Sequence, residues 1–305
     1  MLDVRKLRLL LELEARGTVT AVAHALSYSP SSVSQQLSAL EKECGVTLLQ
    51  KVGRRLRLTP QAEILVRHTA AILDLLDAAE SELATSLTTV TGVVRIAVFQ
   101  SAAHAILPRA LSLLAVTYPE LRVEVTEREP EQGLFDVAAR DFDLVIAEQY
   151  PGSTRGLRAG LDRVVLATDR IRLASSAAPD ARIRATSLAA AARLPWVMEP
   201  EGTAARTWAV QRCRDAGFEP DVRYETADLV AHIRLIRSGN AVGLLPDLVW
   251  ADDPPSVALH ELPGSPQRTV FTSARRSSAA RPGVVACRDA LARAVPPRSP
   301  LSSEA

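Results

Sequence analysis

The chain predicts an α/β protein with a helix-rich N-terminal domain, a long connecting helix and two α/β lobes. Three observations carry this reading. Residues 4 to 44 hold three short stretches with apolar residues at helical spacing, separated by Gly17 and by Ser27-Tyr28-Ser29. Residues 60 to 88 keep helical spacing without a break. From Val93 onward, short buried runs alternate with amphipathic segments, as strands and helices do in layered α/β folds.

Taken in order, Leu7, Leu10, Leu11 and Leu13 give the apolar face of a first helix, which Gly17 ends. Thr18 or Thr20 can cap a second helix facing inward with Val22, Ala23 and Leu26. Ser29 suits an N-cap and Pro30 the first position of a third helix, because its missing N–H would be unpaired there anyway. Val33, Leu37 and Leu40 face inward at i, i+4 and i+7, leaving Ser31, Ser32, Gln35, Gln36 and Ala39 outside; Gly45 closes the helix. Val46–Leu49 and Leu56–Leu58 are expected strands, with Lys51 to Arg55 as their turn. Thr59-Pro60 opens a helix of roughly 28 residues, about 42 Å at 1.5 Å per residue. Its stripe of Leu65, Ile72, Leu76, Ala79 and Leu83 needs a partner, and self-association is the simplest one.

Beyond Gly92 the expected strands are Val93–Phe99, Leu121–Val125, Leu144–Ala147, Val164–Ala167, Ile171–Ala174, Trp196–Met198, Val222–Tyr224, Ala241–Leu245, Val257–Leu262 and Arg268–Ser273. Between them lie expected helices at Leu107–Thr117, Leu134–Arg140, Leu188–Ala192, Ala204–Ala216, Leu229–Arg237 and Val284–Ala294. The alternation implies parallel strands with helices on the sheet faces. The expected domains are 1–59 for the helix-rich domain and 60–90 for the connecting helix. Residues 92–165 with 271–295 form one lobe and 166–270 the other. The Pro/Ser-rich stretch 296–305 is read as a disordered tail.

Composition narrows the function. At 305 residues and 47% hydrophobic the chain can bury real cores, but only 4% is aromatic. The net charge of +1 points to no partner by itself; distribution says more. Residues 1–60 carry nine Arg/Lys against five Asp/Glu, a net +4, so the remainder nets −3. Cys44, Cys213 and Cys287 are isolated, an odd number without metal or redox spacing, which fits a reducing cytoplasm. Met1 is followed at once by mixed charges, and no apolar run approaches a membrane span, so neither signal peptide nor membrane association is expected. There is no GxSxG, P-loop, GxGxxG or HExxH, the five His are scattered, and no enzyme, cofactor or metal is expected. The cysteines read as packed thiols; only Cys213, between Arg212 and Arg214, leaves a redox reading open.

Specific motifs then combine. Thr20-x-x-Ala23, Ser31-x-Val33-Ser34-Gln35-Gln36-Leu37, Leu40-Glu41, Gly45-Val46-x-Leu48 and Arg54-Arg55-x-x-Leu58-Thr59 follow one another at fixed spacing. Arg95-Ile96, Leu107-Pro108, Tyr118-Pro119, Asp143-Leu144 and Gly239 to Pro246 follow further on. As a set these resemble the LysR-type transcriptional regulators. Leu49 stands for a usual Phe, Lys51 for a usual Arg, Ala62 for a usual Gly, and Pro30 for a common Gln that can touch DNA. The resemblance implies a winged helix-turn-helix, a linker helix that pairs protomers, and a homodimer or homotetramer. It also implies an effector domain of two Rossmann-like lobes resembling a type 2 periplasmic binding protein. A small molecule would bind between the lobes, joined by crossovers near Leu166 and Val270.

The expected partners are double-stranded DNA, a small-molecule effector and, for an activator, RNA polymerase. The expected DNA-facing set is Thr20, Ser29, Pro30, Ser31, Ser32, Ser34, Gln35 and Gln36, with Arg54 and Arg55 on the wing. Amides suit base edges because they both donate and accept; arginines suit phosphates or the minor groove. The expected effector set is Gln100, Ser101, Ala102, Glu148, Thr203, Thr226 and Pro246, at or near the carboxyl ends of strands. Ser101 would help hold a carboxylate. Glu148 points instead to an amine or amino acid, unless it is a surface residue or pairs with an arginine. The competing function is a solute-binding or enzymatic α/β protein with a non-specific DNA-binding accessory domain.

Overall fold

The computed structural model describes residues 2–52, 55–87, 89–153, 158–251 and 253–296, with Arg55 described by its backbone alone. The chain divides into two compact units, Met1–Ser86 and Leu87–Ala305. No helix among the described residues is long and apolar enough to cross a membrane.

The first unit begins with helices α1 (Val4–Arg16), α2 (Val19–Ala25) and α3 (Pro30–Cys44). Their ends are set locally. Thr18 Oγ1 accepts from the N–H of Ala21 at 3.1 Å, which decides the α2 cap and leaves Thr20 inside the helix. Ser29 Oγ accepts from the N–H of Ser32 at 3.2 Å, with Pro30 at the first helical position. Gly45 ends α3 at φ +67°, a conformation that disfavours side chains. Leu7, Leu10, Leu13, Val22, Val33, Leu37 and Leu40 form one core. Leu9 joins it at 1% exposure, whereas the expected Leu11 is only half-buried. The reason is that α1 packs against α2, α3 and the following long helix, and so buries more than one face.

Strands β1 (Leu49–Val52) and β2 (Arg55–Leu58) pair antiparallel, Leu49 opposite Leu58. The first starts three residues later than expected. The Glu41 carboxylate accepts from the N–H groups of Leu48 and Leu49 at 2.8 and 3.1 Å, so this approach is tied to α3. The turn residues Gly53 and Arg54 lie outside the described residues. Helix α4 (Pro60–Thr85) follows, capped by Thr59, which also donates to the carbonyl of Thr47 at 2.8 Å. It carries two stripes. Ala62, Val66, Thr69 and Leu73 are buried. Of the second, Leu65 packs against the unit's core, while Ile72, Leu76, Ala79 and Leu83 stay exposed, Leu83 at 69%. Among the described residues of this unit nothing covers that stripe.

The second unit comprises β3 (Gly92–Val98), α5 (Gln100–Ala105), α6 (Leu107–Thr117), β4 (Leu121–Glu127), α7 (Pro130–Ala138) and β5 (Leu144–Gln149). The long β6 (Val164–Ser175), α8 (Leu188–Ala191), β7 (Pro195–Met198), α9 (Ala204–Asp215), β8 (Asp221–Glu225) and α10 (Leu229–Arg237) continue it. It ends with β9 (Gly243–Pro246), a single 3-10 turn at Asp247–Val249, β10 (Ala258–His260), β11 (Gln267–Ser273) and α11 (Pro282–Ala294).

The sheet order is β10-β6-β11-β5-β3-β4, with β9 also on β6; β7 and β8 form a separate parallel pair. The sheet is mixed rather than parallel. β3 runs parallel to β4 and β5, but β11 is antiparallel to β5 and β6. The cause is the return crossing: β11 brings the chain back from the second lobe and lies between strands laid down on the way out.

The two strands expected at Val164–Ala167 and Ile171–Ala174 are one strand of 12 residues. Its first part pairs with β11 and its second with β9 and β10, so it belongs to both lobes. The polar run Thr168-Asp169-Arg170 reads as a break in sequence, yet Asp169 is buried and paired there. Helix α11 returns to the first lobe, where Gly283 permits close contact: a Cβ would meet Val94 Cγ2 at 2.8 Å. Of the expected tail, residues 297–305 lie outside the described residues.

Candidate nucleic-acid interface and ligand cleft

On α3 Val33, Leu37 and Leu40 face inward, and the outward positions from Pro30 to Ser38 are small or amide-bearing, with the charged Lys42 and Glu43 only in the last turn. Ser29, Pro30, Ser31, Ser34 and Gln35 are exposed, as is Thr20 on α2. Ser32 and Gln36 are half-buried, and Gln36 Nε2 donates to Ser32 Oγ at 3.3 Å. Ser29 and Ser31 share a hydroxyl contact at 3.0 Å. Gln35 has no hydrogen bond within the described chain, so its donor and acceptor are both unspent. Arg54 and the Arg55 side chain lie outside the described residues; Lys51 and Arg57 on the ribbon are exposed.

In the second unit a cleft of about 290 Å³ opens at the carboxyl ends of β3, β5 and β7. Small-molecule sites begin at about this size. Gln100, Ser101, Glu148, Thr203 and Pro246 line it. Two expected members do not. Ala102 is fully buried in the core of the first lobe, because it faces inward from α5. Thr226 directs its carbonyl to His232 Nε2 at 2.7 Å and its N–H to the carbonyl of Met198.

Most of the expected lining groups are committed. Gln100 Oε1 accepts from the N–H of Leu229 at 2.8 Å, tying the first lobe to the start of α10 in the second. Thr203 caps α9. Glu148 pairs with Arg268, which resolves the alternatives set by its sequence position: its carboxylate is not free for a ligand. Arg268, only 3% exposed, also donates to Asp169 through Nε at 2.8 Å and to Ser101 Oγ through Nη2 at 2.7 Å. The Ser101 hydroxyl is therefore already an acceptor. The guanidinium lies 5.2 Å from the centroid of the Phe99 ring. Asp169 accepts in addition from the N–H of Leu248 at 2.9 Å.

Electrostatics follow from this arrangement. Burial pulls the Arg268 guanidinium toward neutrality, but Glu148 and Asp169 outweigh it and hold it firmly charged. Burial raises the Glu148 carboxyl against the pull of Arg268, and raises the Tyr150 phenol, with Glu148 adding to it. At the mouth the situation differs. Glu199 is pushed up to about 8, by burial first and then by Glu129 and Glu148, with Arg268 opposing. Glu129 is raised by burial and by Glu148, Glu127 and Glu131. Neither Glu129 nor Glu199 has an ion pair through its carboxylate among the described residues. His232 is lowered by burial. Arg206, the other lining arginine, is engaged by the carbonyl of Glu199 and by Glu225 at 3.0 and 3.4 Å.

Arg268, Tyr150, Trp208 and Glu129 are lining residues that the sequence reading missed. Only Arg268 left a trace: it is the one charged residue in its strand, and an arginine inside a sheet must be buried with acids or sit at an edge.

The comparisons agree over the whole length. Residues 4–63 match the family model for bacterial regulatory helix-turn-helix proteins of the lysR family, and residues 88–296 the LysR substrate binding domain. The transcriptional dual regulator GltC of Bacillus subtilis (strain 168) is 29% identical over 255 residues, covering 83% of this chain and 84% of its own. A probable hydrogen peroxide-inducible genes activator of Mycobacterium avium is 27% identical, covering 79% and 76%. Among solved structures, a full-length OxyR variant from Pseudomonas aeruginosa aligns with a TM-score of 0.69 at 16% identity, covering 100% and 99%. Full-length CbnR in complex with its target DNA aligns at 0.53 with 20% identity, covering 96% and 99%. A capped helix-turn-helix with a β-ribbon, followed by two lobes around a cleft, with both parts matching one family's models, places this chain in the LysR family of transcription regulators.

Proposed function

We propose that the exposed face of α3 reads a DNA major groove, and that a small molecule in the cleft controls the outcome. The carrying observation is the contrast between the two exposed helix faces of the first unit. On the first half of α3 the exposed groups are hydroxyls and the unspent Gln35 amide, which suit base edges and phosphates. On α4 they are Ile72, Leu76, Ala79 and Leu83, which suit another apolar helix. DNA is thus the partner of the first, and a second copy of the chain the partner of the second, in a dimer or tetramer. Thr20, Ser29, Pro30, Ser31, Ser32, Ser34 and Gln36 complete the DNA-facing set. Arg54 and Arg55 fall on the wing by sequence. The domain bounds at 59, 90, 165 and 270 remain part of this proposal, as do a cytoplasmic site of action and, for an activator, a contact with RNA polymerase.

Several relatives are named for peroxide-inducible genes, but the thiols here do not support peroxide sensing. Cys213 and Cys287 are fully buried, and burial pushes both up to about 12; Cys44 is raised as well, and none of the three lines the cleft. A ligand-type effector is the better-supported reading.

The test is a footprint on the DNA around the protein's own gene, repeated with Gln35→Ala. A protected dyad over several helical turns is expected. The variant should lose roughly 1–3 kcal/mol on that site and discriminate less against altered sequences. Salt-sensitive binding without any preferred site would instead favour a non-specific accessory domain.

A further inference from the structure

We infer that the cleft takes a small organic amine, with its ammonium group held between Glu129 of one lobe and Glu199 of the other. This rests on the reading of the cleft as the effector site and adds the chemical class of the effector.

Both arginines that line the cleft are engaged, Arg268 by Glu148 and Asp169, Arg206 by Glu225. Two carboxylates on one guanidinium leave the floor with an excess negative charge. Glu129 adds to it, Glu199 adds to it once its raised carboxyl ionises, and no cation among the described residues pairs with either group. An anionic effector would meet this field with no free donor cation to hold it. A cation would neutralise it.

A second observation is independent of the acids. Aromatic residues number twelve in 305, yet Phe99, Tyr150 and Trp208 all line this one cleft. Arg268 occupies the Phe99 face and Arg212 lies 5.8 Å from the centroid of the Trp208 ring, while Tyr150 and Trp208 pack together at 5.4 Å, which leaves Tyr150 as the wall without a cation over it among the described residues. Aromatic walls beside carboxylates are how proteins hold ligand ammonium groups. Trp208 is 7% exposed, and its indole N–H has no acceptor among the described residues, so a ligand that also carries a carbonyl would satisfy it.

The position also supplies a mechanism. Glu129 stands just before α7 in the first lobe and Glu199 just after β7 in the second. Without a cation Glu199 holds its proton and the two acids give closure no ionic support. An ammonium between them lets Glu199 ionise, its proton passing to solvent, and pairs with both carboxylates, and so favours the closed form.

Calorimetry on the full-length protein tests this, with putrescine and glycinamide as amine probes and succinate as the anionic probe. Heat from at least one amine is expected, with affinity falling tenfold or more in Glu199→Gln and in Glu129→Gln while circular dichroism stays unchanged. Amine binding of equal strength in both variants would overturn the inference, as would no heat from either amine. Heat from succinate alone, abolished by Ala205→Trp in the cleft wall, would overturn the amine while leaving the cleft as the effector site. Amine binding as expected, with a footprint that does not respond to it, would uphold the inference and remove the control assigned to the cleft.

Discussion

The floor and the mouth of the cleft hold the same residue type in opposite conditions. At the floor, Glu148 and Asp169 share the buried Arg268, and Ser101 takes one more of its protons. Nearer the mouth, Glu129 and Glu199 both line the cleft, with no cation paired to either carboxylate among the described residues. The difference separates structure from recognition. Charges satisfied by the chain hold the lobes in register. Charges left unsatisfied cost stability, and that cost is available for a ligand to relieve.

Three measurements sharpen this contrast, the largest effect first. Arg268→Met leaves Glu148 and Asp169 buried without their cation. A loss of roughly 3–5 kcal/mol in unfolding free energy is expected by denaturant titration. A loss below 1 kcal/mol would mean that the floor is no more structural than the mouth.

Glu199→Gln should do the reverse. The Glu199 carboxyl sits near 8 in the fold against an ordinary 4.5, so between those values the folded chain keeps a proton that the unfolded chain has released. Stability therefore falls as pH rises from about 4.5 through about 8. The variant removes this contribution and should gain roughly 1–2 kcal/mol over the parent above pH 8, discounted for the partial solvent access of the group. Below pH 4.5 the two should coincide. Glu129 and Glu148 are raised in the same direction, so the decline is reduced rather than abolished. The melting temperature measured across pH 4 to 9 reads this directly.

Ser101→Ala, the smallest change, removes one acceptor from a guanidinium that keeps two carboxylates. About 1 kcal/mol is expected from thermal melts.

How far the sequence reaches differs between the two units for a physical reason. The first unit is specified locally. Ser29-Pro30, Gly45 and Thr59-Pro60 mark helix ends within a few residues of the groups they cap, so the periodicity and the caps agree. Its one misplaced core residue, Leu9, depends on how many helices surround α1, which no local pattern encodes. The lobes were legible as alternating strands and helices, and the approximate place of the crossovers as well. The direction of β11 was not, because strand direction depends on where the chain has already been. The cleft was half legible. Gln100, Ser101, Glu148, Thr203 and Pro246 could be placed because strand ends converge there. Their commitments could not. Arg268 reaches partners 99, 120 and 167 residues away, and whether a carboxylate is spent or free depends entirely on such distant partners.

The twelve-residue β6 has one more consequence. The lobes are joined not by slack linkers but by β6 lying antiparallel against β11, with a register shift between Val270 and Phe271. Two hydrogen-bonded strands can flex across their width but resist sliding past each other, because sliding would break the whole ladder. A hinge of this kind favours bending of one lobe against the other over shear between them. The walls of the cleft can then drift to fit new molecules over evolutionary time, while the output delivered to the rest of the regulator keeps the same stroke.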